Sequence, residues 1–310
     1  MPVQASNWAE LVVPGLSKAF YIGYGRRPSQ IDAIYNVESS TRGNEQLLGV
    51  GNISSNGWND FEKTGRVQYA DFARGYKFTA THAEFARGMG VQRKLVDDDQ
   101  FNIINRQATA LGDSLFRFRE KSAALFFINS FTSSGTDING FAIAGSDGVA
   151  ICSASHPRNP DNAATVDSNT SSAALTAANI STVRASMMAF VDDTGDKLNV
   201  MPDELLVPPE LEDTTLIHVR SVQDPVSANN AINPQSGRFT VRVWHYLTSA
   251  TNWWMMDSGG RAQSLHWYER VPVEFGPKHQ DRDTYELQLT AYNRFSRGAS
   301  DYRWVFGSNA

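Results

Sequence analysis

The amino-acid sequence predicts an α+β fold in which one long helix shares its core with a later group of strands. Between residues 97 and 131, apolar side chains recur at alternating gaps of three and four, the spacing of an amphipathic helix. They are Phe101, Ile104, Ala108, Leu111, Leu115 and Phe118. The last third of the chain contains five strand-like runs bounded by Gly, Pro or Ser, namely Phe239–Leu247, Trp253–Met256, Leu265–Arg270, Tyr285–Tyr292 and Tyr302–Phe306. These strands must return to the long helix to complete a core.

Composition excludes several classes of protein. The 310 residues are 41% hydrophobic and 20% charged, enough for one large core or two modest ones. No segment approaches the roughly 18 consecutive apolar residues of a membrane span, and the first ten residues lack the apolar run of a signal peptide. The net charge of -5 argues against a nucleic-acid reader. We therefore expect no membrane partner and no sequence-specific binding of nucleic acid.

The first 35 residues are predicted to form an N-terminal arm. Two breaks, Pro14-Gly15 and Gly23-Tyr24-Gly25, interrupt the short apolar pieces Leu11–Val13 and Ala19–Ile22. Neither piece is long enough to form a core, so we expect an arm rather than a domain.

Residues 36–82 are predicted to form an extended loop, built as a long β-hairpin. The stretch is dense in Gly, Ser and Asn and ends in the strand-like alternation Tyr76, Phe78, Ala80. Its apolar content is too small for independent folding, and a compact domain seldom carries so long a loop without a purpose. We expect it to pack on something outside its own domain, which is a first indication of self-assembly.

Seven side chains are candidates for contact between subunits. Five lie in the predicted loop and two near the end of the arm: Trp58, Phe61, Lys63, Arg66, Tyr69, Arg26 and Arg27. Aromatic residues and arginine are enriched at protein–protein interfaces, so six of these positions fit a surface that another copy of the chain covers. Lys63 lies among them in the predicted loop.

The middle of the chain alternates strands and helices. A polar loop over residues 153–172 is followed by a predicted helix at Ala173–Val191, a buried strand at Leu205–Val207 and a short helix at Glu210–Ser221. This βα alternation indicates a second α/β region between the long helix and the C-terminal strands.

No combination of side chains predicts catalysis, a cofactor or a metal. Cys152 is the only cysteine and precedes His156 by four residues, but a catalytic pair needs spatial contact and a third orienting group. A buried cysteine beside a locally bonded histidine fits better, and a cysteine hydrolase stays an alternative. The six histidines lack metal-binding spacing, and Asp192–Asp196 lacks the alternating ligands and closing Glu of a calcium loop.

Three stretches in the middle of the chain occur in a recognisable order. They are Val149–Pro157 (VAICSASHP), Asp192–Leu198 (DDTGDKL) and Met201–Glu212 (MPDELLVPPELE), with the Ala-rich helix between the first two. In this pattern the chain resembles the major capsid proteins of tailed bacteriophages, in particular the Mu-like major head subunit family. The resemblance is best over residues 95–247 and lies in order rather than in a catalytic signature.

The resemblance implies an HK97-like capsid fold with a role for each segment. Residues 1–35 would be the N-terminal arm, 36–82 the extended loop, 83–138 the peripheral domain with a spine helix at 97–131, 139–271 the α/β axial domain, and 272–310 the strands that return to the peripheral domain. The arm and the loop would become ordered by packing on sister molecules.

The resemblance also implies a structural function and no enzyme activity. The chain would be a major capsid protein that self-assembles into hexamers and pentamers, forming an icosahedral shell around phage DNA. Scaffolding, portal and decoration proteins would be its partners, and a separate scaffold is implied because the arm begins at Met1. Assembly would take place in the cytoplasm of the host bacterium, and the mature location would be the virion. The shell of a protein nanocompartment is the alternative with the same fold.

Overall fold

The computed structural model describes residues 6–55, 58, 60–69, 74–92, 102–223, 231–276, 279–280 and 286–310. Its helices are α1 (Ser6–Tyr24), α2 (Ile31–Ile34), α3 (Phe61–Thr64), α4 (Ile103–Ile128), α5 (Ala177–Met188), α6 (Glu212–Arg220) and α7 (Ser258–Ser264), with a 3-10 turn at Pro209–Leu211. Its strands are β1 (Asn36–Ser39), β2 (Asn44–Val50), β3 (Arg74–Thr81), β4 (Ala83–Gln92), β5 (His156–Asn159), β6 (Asn162–Asp167), β7 (Thr170–Ser171), β8 (Glu204–Val207), β9 (Thr240–Val243), β10 (Trp253–Met256), β11 (Leu265–Phe275), β12 (His279–Gln280), β13 (Glu286–Ala299) and β14 (Val305–Ser308).

Two five-stranded sheets form the body of the molecule. In the first, sheet A, β11 lies between β1 and β13, and β13 also pairs with β4 and β12. In the second, sheet B, the strand order is β7-β14-β10-β8-β9. Every residue of β8, β10 and β14 is buried. Strands buried on both faces have continuous apolar sequences, which explains the runs at Leu205–Val207 and Trp253–Met256.

The predicted long helix is observed as α4, which lies against both sheets. Residues 93–101, including the predicted first turn, lie outside the described part of the chain. Toward the end of α4, Phe127 is buried in a cluster that also contains Trp267 of sheet A and Trp254 of sheet B. Full burial of a large apolar side chain contributes about 1.5–3 kcal/mol. This shared cluster therefore joins the two sheets into one body.

The N-terminal segment contains a helix that packs on its own chain. α1 continues through Pro14-Gly15, so the expected break there is wrong, whereas the helix does end at Tyr24. Leu16 and Phe20 are buried in small clusters with α4 and sheet A. Leu16 and Phe20 lie four residues apart on one face of the helix, and their burial outweighs the low helix propensity of proline and glycine. For this part of the arm, burial is supplied within the chain and not by a sister molecule, contrary to our expectation.

Two glycines allow α1 and α4 to approach closely. A Cβ on Gly112 would lie 2.2 Å from the carbonyl oxygen of Phe20, and a Cβ on Gly23 would lie 2.1 Å from that of Thr109. Both distances are far below van der Waals contact, so a side chain at either position would force the helices apart.

The predicted polar loop at 153–172 contains a short hairpin. β5 pairs antiparallel with β6, and the guanidinium of Arg158 donates two hydrogen bonds to Asp167 across the pair, at 3.0 and 2.6 Å. A cross-strand ion pair takes the place of the apolar alternation that marks most strands, so the sequence pattern did not reveal this hairpin.

Two C-terminal strands, β11 and β13, extend beyond their predicted ends, whereas β9 is shorter than the predicted run Phe239–Leu247. β11 continues to Phe275 through Pro272, because the register is irregular between Val271 and Glu274 and no ladder N–H is required there. The predicted boundary at residue 271 therefore falls inside a strand of sheet A. β13 likewise continues to Ala299, whereas β14 joins sheet B.

We expect Gly112→Ala to lower the free energy of unfolding by about 1–3 kcal/mol, because the added methyl group must displace α1. Gly15→Ala is the matched control, since nothing lies within 4 Å of its new methyl group. Alanine in an exposed helix interior stabilises by about 1 kcal/mol relative to glycine. Urea unfolding of the purified chain measures both effects, and equal effects would contradict the close helix contact.

Candidate assembly surface

The extended loop leaves the body between two strands of sheet A. β1 ends at Ser39 and β4 begins at Ala83, and between them β2 and β3 pair as an antiparallel hairpin. Phe78 and Ala80 of β3 are buried in a small cluster with Tyr268. The root of the loop is thus anchored on sheet A.

The far end of the loop, described at residues 58 and 60–69, exposes large aromatic side chains; we call it the tip. Trp58 is 92% exposed, Phe61 62% and Tyr69 95%. Lys63 and Arg66 are exposed on the same segment. Single exposed apolar residues are ordinary, but a group of exposed aromatic residues on one short segment marks an interaction site.

One helical turn orders this tip. Asp60 caps α3 by accepting a hydrogen bond from the backbone N–H of Glu62 at 3.1 Å, and Gly65 ends the turn with a φ of 61°. Lys63 lies 3.1 Å from Asp60 in an exposed ion pair. The cap and the left-handed glycine are the usual signals of a helix start and end, so the tip has local structure of its own.

The structure therefore brings five of the seven predicted contact residues onto one segment. Arg26 and Arg27 are also exposed, but they follow α1 and belong to the body rather than to the loop. Other exposed apolar residues of the loop, among them Leu48, Ile53 and Val67, were not among the predicted contact residues. Leu48 could have been found from the alternation of β2, because adjacent side chains of a strand point to opposite faces and a strand of this loop can bury only one face.

His82 fixes the hinge at which the loop leaves sheet A. Its ring lies between Ser40, which follows β1, and Ser296 of β13, with N···O distances of 3.1 and 2.9 Å. Ser40 Oγ donates its proton to Glu45 at 2.6 Å, so Nε2 of His82 donates to Ser40. Nδ1 then accepts the hydroxyl proton of Ser296. The neutral ring with its proton on Nε2 therefore satisfies every partner.

A groove beside α4 is a second exposed surface. It has a volume of 480 Å³ and is lined by Phe118, Lys121, Leu125 and Ile128 of α4, by Ile138 and Asn139, and by residues 245–248. The α4 side chains are three or four positions apart and therefore share one helix face. Ile138 is almost completely exposed.

Cys152 and His156 do not form a catalytic pair. Burial raises the pKa of the Cys152 thiol to about 12. The ring of His156 is fully buried and stacks on Tyr302 at 3.7 Å, while Nδ1 lies 2.6 Å from Asp147 and Nε2 lies 3.0 Å from Asn169. Both nitrogens are thus engaged by groups other than the thiol, as expected for a buried structural cysteine and a locally bonded histidine.

The described part of the chain contains neither a membrane-spanning helix nor a metal-binding cluster. No helix among them is long and apolar enough to cross a membrane. Within the same residues, no group of three or more His, Cys, Asp or Glu side chains is arranged to hold a metal ion.

We expect stability to fall with decreasing pH because of His82. Burial and the positive charges of Arg294 and Arg270 lower its pKa, and the charge of Glu45 opposes them only in part. Below about pH 6.5 the unfolded chain binds a proton that the folded chain resists. Neutral His82 therefore makes its full contribution to the free energy of unfolding above about pH 6.5. This contribution is lost as the pH falls toward the lowered pKa of the folded chain.

Thermal unfolding between about pH 5 and 8 checks this expectation. His82→Gln should lower Tm at every pH through its lost hydrogen bonds, but it should also flatten the decline of Tm on the acid side. His245→Gln, at an exposed histidine, is the matched control and should leave the slope unchanged. An equal decline of Tm with falling pH in wild type and His82→Gln would show that protonation of His82 does not control the stability.

Comparison with known proteins identifies the family. Residues 76–307 match the profile of a family described as phage capsid protein, which is more than half of the chain. No curated protein sequence matches the chain.

Solved capsid structures have the same fold. The capsid protein of bacteriophage JBD30 is 15% identical, with a TM-score of 0.55 over 72% of this chain and 92% of that chain. A capsid chain of an empty GTA particle is 14% identical, with a TM-score of 0.55 over 92% and 91%. The virus-like particle from Pyrococcus furiosus is 10% identical, with a TM-score of 0.53 over 95% and 98%. The predicted HK97-like α+β fold is confirmed, and the chain belongs to the phage capsid protein family.

Proposed function

We propose that this chain is the major capsid protein of a tailed-bacteriophage head and that it assembles into hexamers and pentamers of an icosahedral shell around double-stranded DNA. The observation that carries the proposal is the extended loop, whose Trp58, Phe61 and Tyr69 side chains are directed into solvent. In a capsid these exposed side chains can be covered by a neighbouring subunit, because each copy contacts further copies of the same chain.

The energetics of such an assembly favour many modest contacts. Complete burial of one large apolar side chain contributes about 1.5–3 kcal/mol, less the entropy of ordering it. One loop therefore supplies only a weak interface. In a closed shell every subunit makes the same contacts with several neighbours, so weak interfaces add up to a stable particle while single contacts stay reversible during assembly.

The groove beside α4 is the surface we assign to the loop tip of a neighbouring copy. It offers apolar Leu125 and Ile138 to the aromatic side chains of the tip. Lys121 at its edge can pair with Glu62, an acidic residue of the tip.

The two sheets correspond to the two domains of a capsid subunit. We assign sheet A and α4 to the peripheral domain and sheet B with α5 and α6 to the axial domain. β11 belongs to sheet A, which moves the end of the axial domain from residue 271 to about residue 264. Residues 36–82 keep the role of the extended loop.

Partners beyond the chain itself follow from this function. The shell would hold phage DNA without reading its sequence, and the net charge of -5 is compatible with a wall that does not retain DNA by counterion release. Portal, scaffolding and decoration proteins complete the proposal, with assembly in the cytoplasm of the host bacterium and the virion as the final location.

Two alternatives are less well supported. A nanocompartment shell has the same fold, but the family match favours the phage capsid over an enzyme container. A cysteine hydrolase needs an accessible thiolate, whereas Cys152 is buried and its pKa is raised. A structural function without enzyme activity agrees with both observations.

We expect the double variant Trp58→Ser and Tyr69→Ser to fold normally but to assemble poorly, because both side chains are almost fully exposed in the single chain. Truncation of an aromatic residue at the centre of an interface costs about 2 kcal/mol or more. The concentration needed for assembly should therefore rise at least about tenfold. Light scattering and negative-stain microscopy measure the particles.

Val166→Ser is the matched control, since this exposed apolar residue lies on the β5–β6 hairpin and not on the loop. It should assemble like wild type. Wild-type chains that stay monomeric under all assembly conditions would contradict the proposed function. Normal assembly of the double variant would contradict the role of the loop tip.

Cys152 tests the hydrolase alternative. A thiol-reactive reagent should leave the folded chain unmodified at pH 8, because burial keeps the thiol protonated and inaccessible. After unfolding in guanidinium chloride, one thiol per chain should react at once. Rapid modification of the folded chain would restore the alternative.

A further inference from the structure

The turn Asp192–Asp196 is a preformed hydrogen-bond acceptor. Oδ1 of Asp192 accepts three hydrogen bonds: from the backbone N–H of Thr194 at 2.9 Å, from its hydroxyl at 2.7 Å, and from the backbone N–H of Asp196 at 2.9 Å. Gly195 has a φ of 94°, which allows the chain to reverse. Asp192 thus uses its carboxylate to shape the turn, and two other carboxylates of the turn face the extended loop.

Those two carboxylates bind the loop shortly before its tip. The backbone N–H of Asn52 lies 3.0 Å from both carboxylate oxygens of Asp193. Asp196 accepts hydrogen bonds from the backbone N–H of Ser55 at 2.5 Å and from the hydroxyl of Ser54 at 3.2 Å. The bonds from Ser55 and Ser54 lower the pKa of the Asp196 carboxyl. Hydrogen bonds to an ionised acceptor are stronger than those between neutral groups.

Near this turn, two opposed glycines allow the backbones of β2 and β3 to approach closely. A Cβ on Gly75 would lie 2.4 Å from the carbonyl carbon of Gly49, and a Cβ on Gly49 would lie 2.7 Å from the carbonyl oxygen of Tyr76. The strand register is irregular at the same place. Next to these glycines, the hydroxyl of Tyr76 donates to the carbonyl oxygen of Pro157 at 3.1 Å. Two separate contacts therefore hold the loop against the region of β5 and the acidic turn.

We propose that the turn Asp192–Asp196 is a latch that fixes the extended loop on its own subunit and so sets the direction in which the tip is presented to a neighbouring copy. This inference rests on the proposed function, in which residues 58–69 contact a second chain. It makes the acidic turn a regulator of assembly although the turn does not itself belong to the tip.

Chain length supports this role. An extended chain covers at most about 3.3–3.6 Å per residue, so the three residues after Ser55 span about 10 Å. With Ser55 held by Asp196, Trp58 is confined to a small region of space. Without the latch, the nearest paired residues on either side of the tip would be those near Gly49 and Gly75. Association with a neighbouring copy would then have to order all the residues between these glycines, at a greater cost in conformational entropy.

The latch is tested on the unassembled full-length chain with the double variant Asp193→Ala and Asp196→Ala. Hydrogen–deuterium exchange at the amides of residues 52 and 55 should become about tenfold faster, because their acceptors are removed. Trypsin should also cleave faster after Lys63 and Arg66. Asp161→Ala, at an exposed aspartate on the β5–β6 turn, is the matched control and should change neither rate. Unchanged exchange in the double variant would overturn the latch.

Assembly kinetics then test its regulatory role. Light scattering should show that the double variant assembles about tenfold more slowly than wild type at equal concentration, while Asp161→Ala matches wild type. Faster exchange with an unchanged assembly rate would overturn the claim that the latch directs the tip. If wild-type chains do not assemble at all, the proposed function fails, whereas the exchange result still decides whether the latch exists.

Discussion

The packing of one helix end between two sheets is the contact on which the other parts of this structure depend. Phe127 of α4 meets the rings of Trp244, Trp254 and Trp304 edge-on, with centroid distances of 5.9, 5.9 and 6.4 Å. Edge-to-face arrangements of this kind are favourable beyond the area they bury. Because α4 also contacts sheet A, a side chain lost here would loosen both sheets at once, together with the root of the extended loop.

Polar side chains fix the geometry of this core. Glu120 of α4 accepts hydrogen bonds from the indole N–H of Trp244 at 3.1 Å, from the hydroxyl of Ser29 at 2.8 Å and from the backbone N–H of Gln30 at 3.0 Å. Burial raises the pKa of its carboxyl, and these donors oppose the rise. The chain is thereby held at the point where it turns from α1 toward β1. A rigid body of this kind can carry a loop that is not itself buried.

Periodicity in the sequence predicted the elements that pack, and long-range contacts decided the rest. The apolar spacing of α4 and the continuous apolar run of β10 were sufficient to place both, because each buries its side chains by a simple repeat. The helix across Pro14-Gly15 depends on a partner helix and could not be predicted locally. The hinge at His82 could not be predicted either, since its partners Ser40 and Ser296 lie 42 and 214 residues away in the chain. The aromatic residues of the loop were predicted because a polar segment makes them conspicuous.

The position of β14 has a consequence for biosynthesis. It lies between β7 and β10 in sheet B, yet it is translated after all other strands of that sheet. Synthesis proceeds from the N-terminus at about 5–20 residues per second, so β7 has no strand to pair with until residues 305–308 emerge from the ribosome. A nascent chain can form α4 and its first contacts early, but its second sheet closes last. This order delays the complete surface of sheet B until β14 has been made, so a shorter nascent chain presents an unfinished sheet.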